Sequence, residues 1–175
     1  MLRAASLVLL SSCLVYGQHD AQAQDHHAQD HQAQDHQAQD HHNMVNEHGD
    51  KVMGFSHEKT THHFVFTQDG GLIEVRANDL KDATSLDQIR DHFQHIVHLF
   101  AEGNFNAPML VHSQDVPGTA TMTRFKTDLH WELQEIPRGA RITITAHNKE
   151  AADAVHDFLR FQIADHQTGD CTAIR

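Results

Sequence analysis

Cysteine is almost absent from this chain: two residues in 175, Cys13 and Cys171. One sits in an N-terminal leader and the other in the C-terminal tail, so a chain that has lost its leader holds no internal disulfide. Proline is also scarce, with three residues, and tryptophan and tyrosine occur once each. Basic residues are few: 13 Lys and Arg stand against 24 Asp and Glu, a net charge of −11 with histidine neutral. Such a surface repels polyanions, which excludes DNA, RNA and anionic membranes as natural partners at neutral pH. No apolar run reaches the roughly 20 residues needed to span a bilayer, which predicts no integral membrane span. G-x-S-x-G, P-loop and G-x-G-x-x-G motifs are all missing, and so is a core cysteine for a thiol nucleophile.

What the chain has in excess is histidine, 19 residues. Imidazole titrates near pH 6.5 and, when neutral, is a ligand for Zn, Cu and Ni.

Met1-Leu2-Arg3 is a basic start, Ala4 to Tyr16 is apolar and uncharged, and Ala21-Gln22-Ala23 is an A-x-A site. Residues 1–23 therefore read as a signal peptide and predict a periplasmic or secreted protein. Leu10-Ser11-Ser12-Cys13 also fits a lipobox, which would make Cys13 a lipid anchor.

Residues 24–52 form an arm and linker. Positions 23–42 are four copies of a five-residue unit, Ala-Gln-Asp-His followed by His or Gln. The unit has no aromatic or branched aliphatic residue with which to offset ordering entropy, so the arm is expected to be disordered. Its six imidazoles, His26, His27, His31, His36, His41 and His42, make a flexible multivalent chelator or, alternatively, a solvated spacer.

Residues 53–170 carry the fold, ahead of a short tail, 171–175. Thr61 to Thr67 and Leu72 to Ala77 read as two strands around an Asp69-Gly70 turn. A helix follows, capped by Thr84 or Ser85 and running to Ala101, with Leu86, Ile89, Phe93, Ile96, Val97 and Phe100 on its buried stripe. Residues 104–122 hold Pro108 and Pro117 and read as an irregular crossover. The pattern then recurs: a strand from Phe125 to Gln134, a turn at Pro137-Arg138-Gly139, a strand from Arg141 to Ala146, and a helix capped by Asn148. The expected class is α+β, in the order ββα–ββα. It predicts a four-stranded, mainly antiparallel sheet with two helices on one face. Strand order is not specified at this level.

The densest cluster of ligands is Gly54 to Phe64, where His57, Glu58, His62 and His63 fall within seven residues. Strand alternation sends His62 to the Phe64 and Phe66 side and His63 to the opposite face. The spacing His57-Glu58-x-x-x-His62 is one residue too long for a zincin helix, since i and i+5 diverge by about 140°. On the first helix His92, His95 and His98 recur at i+3 and drift off the buried stripe. His166 ends the second helix, where a cation is favoured by the helix dipole. His112 and His156 read as lone surface residues. The open sheet face collects His63, Glu74, Arg76, His130, Glu132 and His147. The candidate metal ligands in the domain are His57, Glu58, His62, His63, His92, His95 and His166.

The stretch Met53 to Phe64 (M-G-F-S-H-E-K-T-T-H-H-F), Gly70-Gly71-x-Ile73-Glu74-Val75 and Phe158 to Asp170 (F-L-R-F-Q-I-x-D-H-x-T-G-D) together resemble a family of small exported bacterial proteins. The resemblance covers residues 53–170 and leaves out the arm. Proteins of that kind are sometimes labelled aspartate carbamoyltransferase. The transferase itself is a larger two-domain enzyme with an S-T-R-T-R phosphate motif, which this chain lacks. The resemblance therefore implies export and a small domain, and assigns no catalytic residue.

Three functions follow as expectations. The first is an exported protein that binds Cu, Zn or Ni through neutral imidazoles, weakening below about pH 6. The second is an enzyme or small-molecule binder that uses the crossover and the rim histidines. The third is a non-catalytic interaction module with a pH-sensitive arm.

Overall fold

The computed structural model describes residues 19–175, with side chains from residue 36 onward. The leader expected over residues 1–23, Cys13 included, lies essentially outside the described residues. The chain divides into two units, one up to Ala38 and one from Gln39 to Arg175.

The first element is helix α1, His19–Met53. From Ala23 to Ala38 it consists of the repeat sequence. Disorder was expected as far as residue 52, and from Gln39 on this is corrected: that portion of α1 belongs to the domain. Alternation of Ala-Gln-Asp-His gives way there to Met44, Val45 and Gly49. Val45 is fully buried, and Gly49 lies close to Val111. Gly54, at φ +78°, ends the helix in the left-handed conformation that favours glycine, donating its N–H to the Asp50 carbonyl at 3.0 Å.

Strands β1 (Thr60–Thr67) and β2 (Gly70–Ala77) pair antiparallel in the register Phe64 with Ile73. Helix α2 (Ala83–Ala101) follows. Its cap is Asp82, earlier than expected; the carboxylate accepts from the Ser85 N–H at 3.0 Å and the Ser85 hydroxyl at 2.8 Å. The crossover is more regular than its prolines suggest. It folds into two short helices, α3 (Asn106–His112) and α4 (Thr119–Arg124). Pro108 lies within the first turn of α3, where a missing N–H is harmless. Phe125, expected as the first inward strand residue, instead caps α4, and β3 begins at Leu129 (Leu129–Ile136). Strand β4 (Gly139–Ala146) and helix α5 (Lys149–Asp165) complete the chain, with Asn148 capping α5 as expected.

The sheet order is β1-β2-β4-β3, antiparallel throughout. Each ββα half contributes one inner strand, so β2 against β4 is the seam that joins them. Glycine makes the seam tight: a Cβ on Gly139 would stand 1.8 Å from the Val75 carbonyl oxygen.

One face of the sheet presents Phe64, Phe66, Val75, Ile142 and Ile144 to α2 and α5, which return Ile89, Phe93, Ile96 and Phe100, and Val155, Phe158, Leu159 and Ile163. Each such side chain contributes roughly 1.5–3 kcal/mol on burial. The architecture is the expected α+β class, a four-stranded antiparallel sheet with α2 and α5 on one face. Among the described residues, no helix is long and apolar enough to cross a membrane.

Candidate ligand-binding site

The inner face of the sheet is not completely filled. Between β1, β2, α2, α3 and α5 lies a cavity of about 80 Å³ walled by Phe64, Val75, Ile96, Phe100, Val111 and Phe158. Its polar lining is one amide and four imidazoles: Gln162, His62, His92, His112 and His166. Val52 and Met53, at the end of α1, complete the wall.

Each polar group arrives on a buried stripe. His62 alternates with Phe64 on the inner side of β1. His92 borders Phe93 on α2, and His112 follows Val111 on the buried side of α3. Gln162 and His166 extend the α5 stripe of Val155, Phe158 and Leu159 by one and two turns.

His62 and His166 stack, with ring centroids 5.5 Å apart and planes 3° from parallel. His112 meets His166 edge-on at 4.9 Å. Phe55 packs on both His62 and His92, at 5.9 and 5.6 Å. Burial, reinforced by neighbouring imidazoles, holds three of these rings, His62, His92 and His166, neutral. Desolvation and then His92 push His62 down to about 4, although Asp50 opposes the shift. Desolvation and then His95 push His92 down to about 4. His166 is pushed down to about 2 by desolvation and then by His62 and His112.

His112 is 1% exposed and is the anchor of the site. Its Nδ1–H donates to Asp165 Oδ2 at 2.5 Å, and Asp165 Oδ1 accepts from His41 Nε2 at 2.8 Å. The other ring nitrogen of His112 lies 3.1 Å from Gln162 Oε1. The Gln162 NH₂ is left without a partner, so one end of a buried amide is unmatched. His62 Nε2 is buried and unpaired as well. Two orphaned polar atoms thus belong to side chains lining one apolar cavity.

A second, polar chamber of about 190 Å³ adjoins the first. His62 and His166 line both; His42, His57, Asn46, Thr60, Thr61 and Thr168 line only the outer one. His42 Nε2 accepts from Asn46 Nδ2 at 3.2 Å, while its Nδ1 is buried and unpaired. Asp50 is occupied by His57, accepting from its backbone N–H at 2.8 Å and pairing with its Nδ1 at 3.0 Å.

Of the candidate ligands, His57, His62 and His166 therefore share one chamber, joined by His42 of the arm. His92 reaches only the inner cavity. Glu58 is exposed. His63 faces away, as alternation requires, and pairs with Asp170 at 3.0 Å. That carboxylate also accepts from the Phe64 N–H and the Thr168 hydroxyl; burial raises its pKa, but these contacts outweigh burial and lower it. His95 and His98 stay outside on α2, with His98 beside Glu102 at 3.5 Å. His36 is exposed, His41 is engaged by Asp165, and the side chains of His26, His27 and His31 lie outside the described residues. On the open sheet face, Glu74 is held by Arg76 and Arg141, an ion cluster and not a ligand set. Among the described residues, no three His, Cys, Asp or Glu side chains are placed to hold a metal ion.

Two expectations are corrected. His112 and His156 are not surface residues: His112 is buried as above, and His156 is 9% exposed, its Nε2 bonded to the Thr67 carbonyl at 2.9 Å. Gln162, His112 and Asp165 were missed as site residues. The signal was present in part, because Pro108, Val111 and His112 fall at helical spacing, as do Phe158, Gln162 and His166.

No family model, no curated protein and no solved structure matches the chain.

Proposed function

We propose that the domain is a small-molecule-binding protein whose ligand occupies the imidazole-lined cavity. The observation that carries this reading is the pair of unmatched polar atoms, His62 Nε2 and one end of the Gln162 amide, among otherwise apolar walls. A buried polar atom without a partner costs about 1–3 kcal/mol. A ligand that satisfies either one recovers part of that loss and buries its own apolar surface. The test is a fragment titration followed through the side-chain ¹⁵N resonances of His62 and Gln162. Saturable shifts of both, with Kd below ~1 mM (about −4 kcal/mol), are expected. Fragments that move only surface resonances would sink the reading.

A metal-handling role is the second reading. It is favoured by one observation: His42, His57, His62 and His166 line a single chamber, and two of their nitrogens are unpaired. Neutral imidazole is the ligating form, and burial keeps His62 and His166 neutral. Export and the histidine-rich arm are consistent with a periplasmic Cu, Zn or Ni buffer. Calorimetric titration with Zn²⁺ and Cu²⁺ separates the two readings: a stoichiometric site that survives deletion of the repeat and is lost in His62→Phe supports the metal.

A further inference from the structure

The two chambers differ in lining and share a wall. The inner cavity is walled largely by apolar side chains such as Phe64, Ile96, Phe100 and Phe158, and the outer one by imidazoles, threonines and Asn46, with the His62–His166 stack common to both. Neither lining includes a Lys, Arg, Asp or Glu. Two neighbouring carboxylates are already engaged, Asp50 by His57 and Asp165 by His112 and His41. Two buried imidazole nitrogens remain unpaired there, His42 Nδ1 and His62 Nε2.

We infer that the ligand is a small amphipathic molecule with an uncharged hydroxyl or carbonyl head, its head among His42, His62 and His166 and its apolar body in the inner cavity. This deepens the ligand-binding reading and rests on it. A neutral imidazole offers one N–H donor and one nitrogen acceptor, and a hydroxyl matches both. A charged head would leave water without a countercharge, the costliest kind of burial. The body is short. An apolar cavity of about 150 Å³ admits benzene, and the inner chamber here is about 80 Å³. A chain of a few carbons fits that space.

The experiment compares four probes on the full chain at neutral pH: 1-butanol, butanoate, butylammonium and pentane. Binding is followed by ¹⁵N shifts at His42, His62 and Gln162. Butanol is expected to shift all three side chains, with the two ions at least about tenfold weaker. His42→Ala should weaken butanol severalfold and leave pentane unchanged. His42→Gln, which restores a donor and an acceptor, should recover part of the loss. An ion that binds as tightly as butanol overturns the uncharged head. Pentane that binds as tightly as butanol overturns the placement of the head while leaving the cavity reading intact. Failure of all four to reach the inner residues overturns both.

Discussion

His62 and His166 come from opposite ends of the domain, one from the start of β1 and one from the end of α5, yet their rings lie 5.5 Å apart and nearly parallel. Two protonated rings could not be held that way. Burial, with repulsion from neighbouring imidazoles, keeps both neutral, down to about 4 for His62 and about 2 for His166.

That neutrality fixes how stability depends on pH. In the unfolded chain these rings titrate near 6.5, so the unfolded state takes up protons first. Their contribution is complete above pH 6.5 and is lost as pH falls below it. The decline from His62 and His92 levels off near 4, and that from His166 continues toward 2. Urea denaturation between about pH 8 and pH 4 should show falling stability from about pH 6.5 downward. His166→Phe should flatten that slope. A stability that does not change over this range contradicts neutral burial.

Removing His112 leaves Asp165 with only His41 and opens a void beside Phe161 and His166, which the ring now contacts at 4.9 Å each. His112→Ala is expected to destabilise by about 2–4 kcal/mol in urea denaturation. Asp165→Asn in the same background should add less than it does alone, because the two groups share one interaction.

Val45 is fully buried although it follows a repeat with no core-forming residue. Val45→Asp should release residues 39–53 from the domain while β2, β4 and α5 keep their protection. Amide hydrogen exchange resolved by segment is the measurement. Loss of protection across the whole sheet would instead make this part of α1 integral to folding.

Gly118 precedes α4 at φ +83°, and a Cβ there would lie 2.1 Å from the Ala154 carbonyl oxygen. Gly118→Ala is expected to cost at least about 1–3 kcal/mol by thermal or urea denaturation, since both the backbone angle and the contact with α5 oppose it. Gly54 also has a positive φ but nothing within 4 Å of its Cβ position, so Gly54→Ala should cost less.

The fold was legible because period and turn chemistry agreed. The alternation His62-His63-Phe64-Val65-Phe66, the Asp69-Gly70 turn and the stripes through Phe93 and Phe158 each specify one local structure. Strand order was not legible, because β2 against β4 depends on close approach at Gly70 and Gly139, which no local pattern encodes. The short helices α3 and α4 were hidden by Pro108 and Pro117, which read as breakers although Pro108 sits in the tolerant first turn of α3 and Pro117 just ahead of the Gly118 cap of α4. The division of His62 from His63 followed from strand parity alone. The cavity did not, because it forms where β1, β2, α2, α3 and α5 fail to meet. His112 looked like a surface residue since its partners, Gln162 and Asp165, lie 50 and 53 residues away.

The most direct test of the binding account is the ¹⁵N side-chain spectrum of Gln162 and His62 during titration with 1-butanol. Concerted, saturable shifts at both groups, abolished when Phe158→Trp fills the cavity of a still-folded protein, are the predicted result. Shifts that never saturate, or that persist unchanged in the filled variant, would contradict a ligand site between the sheet and α5.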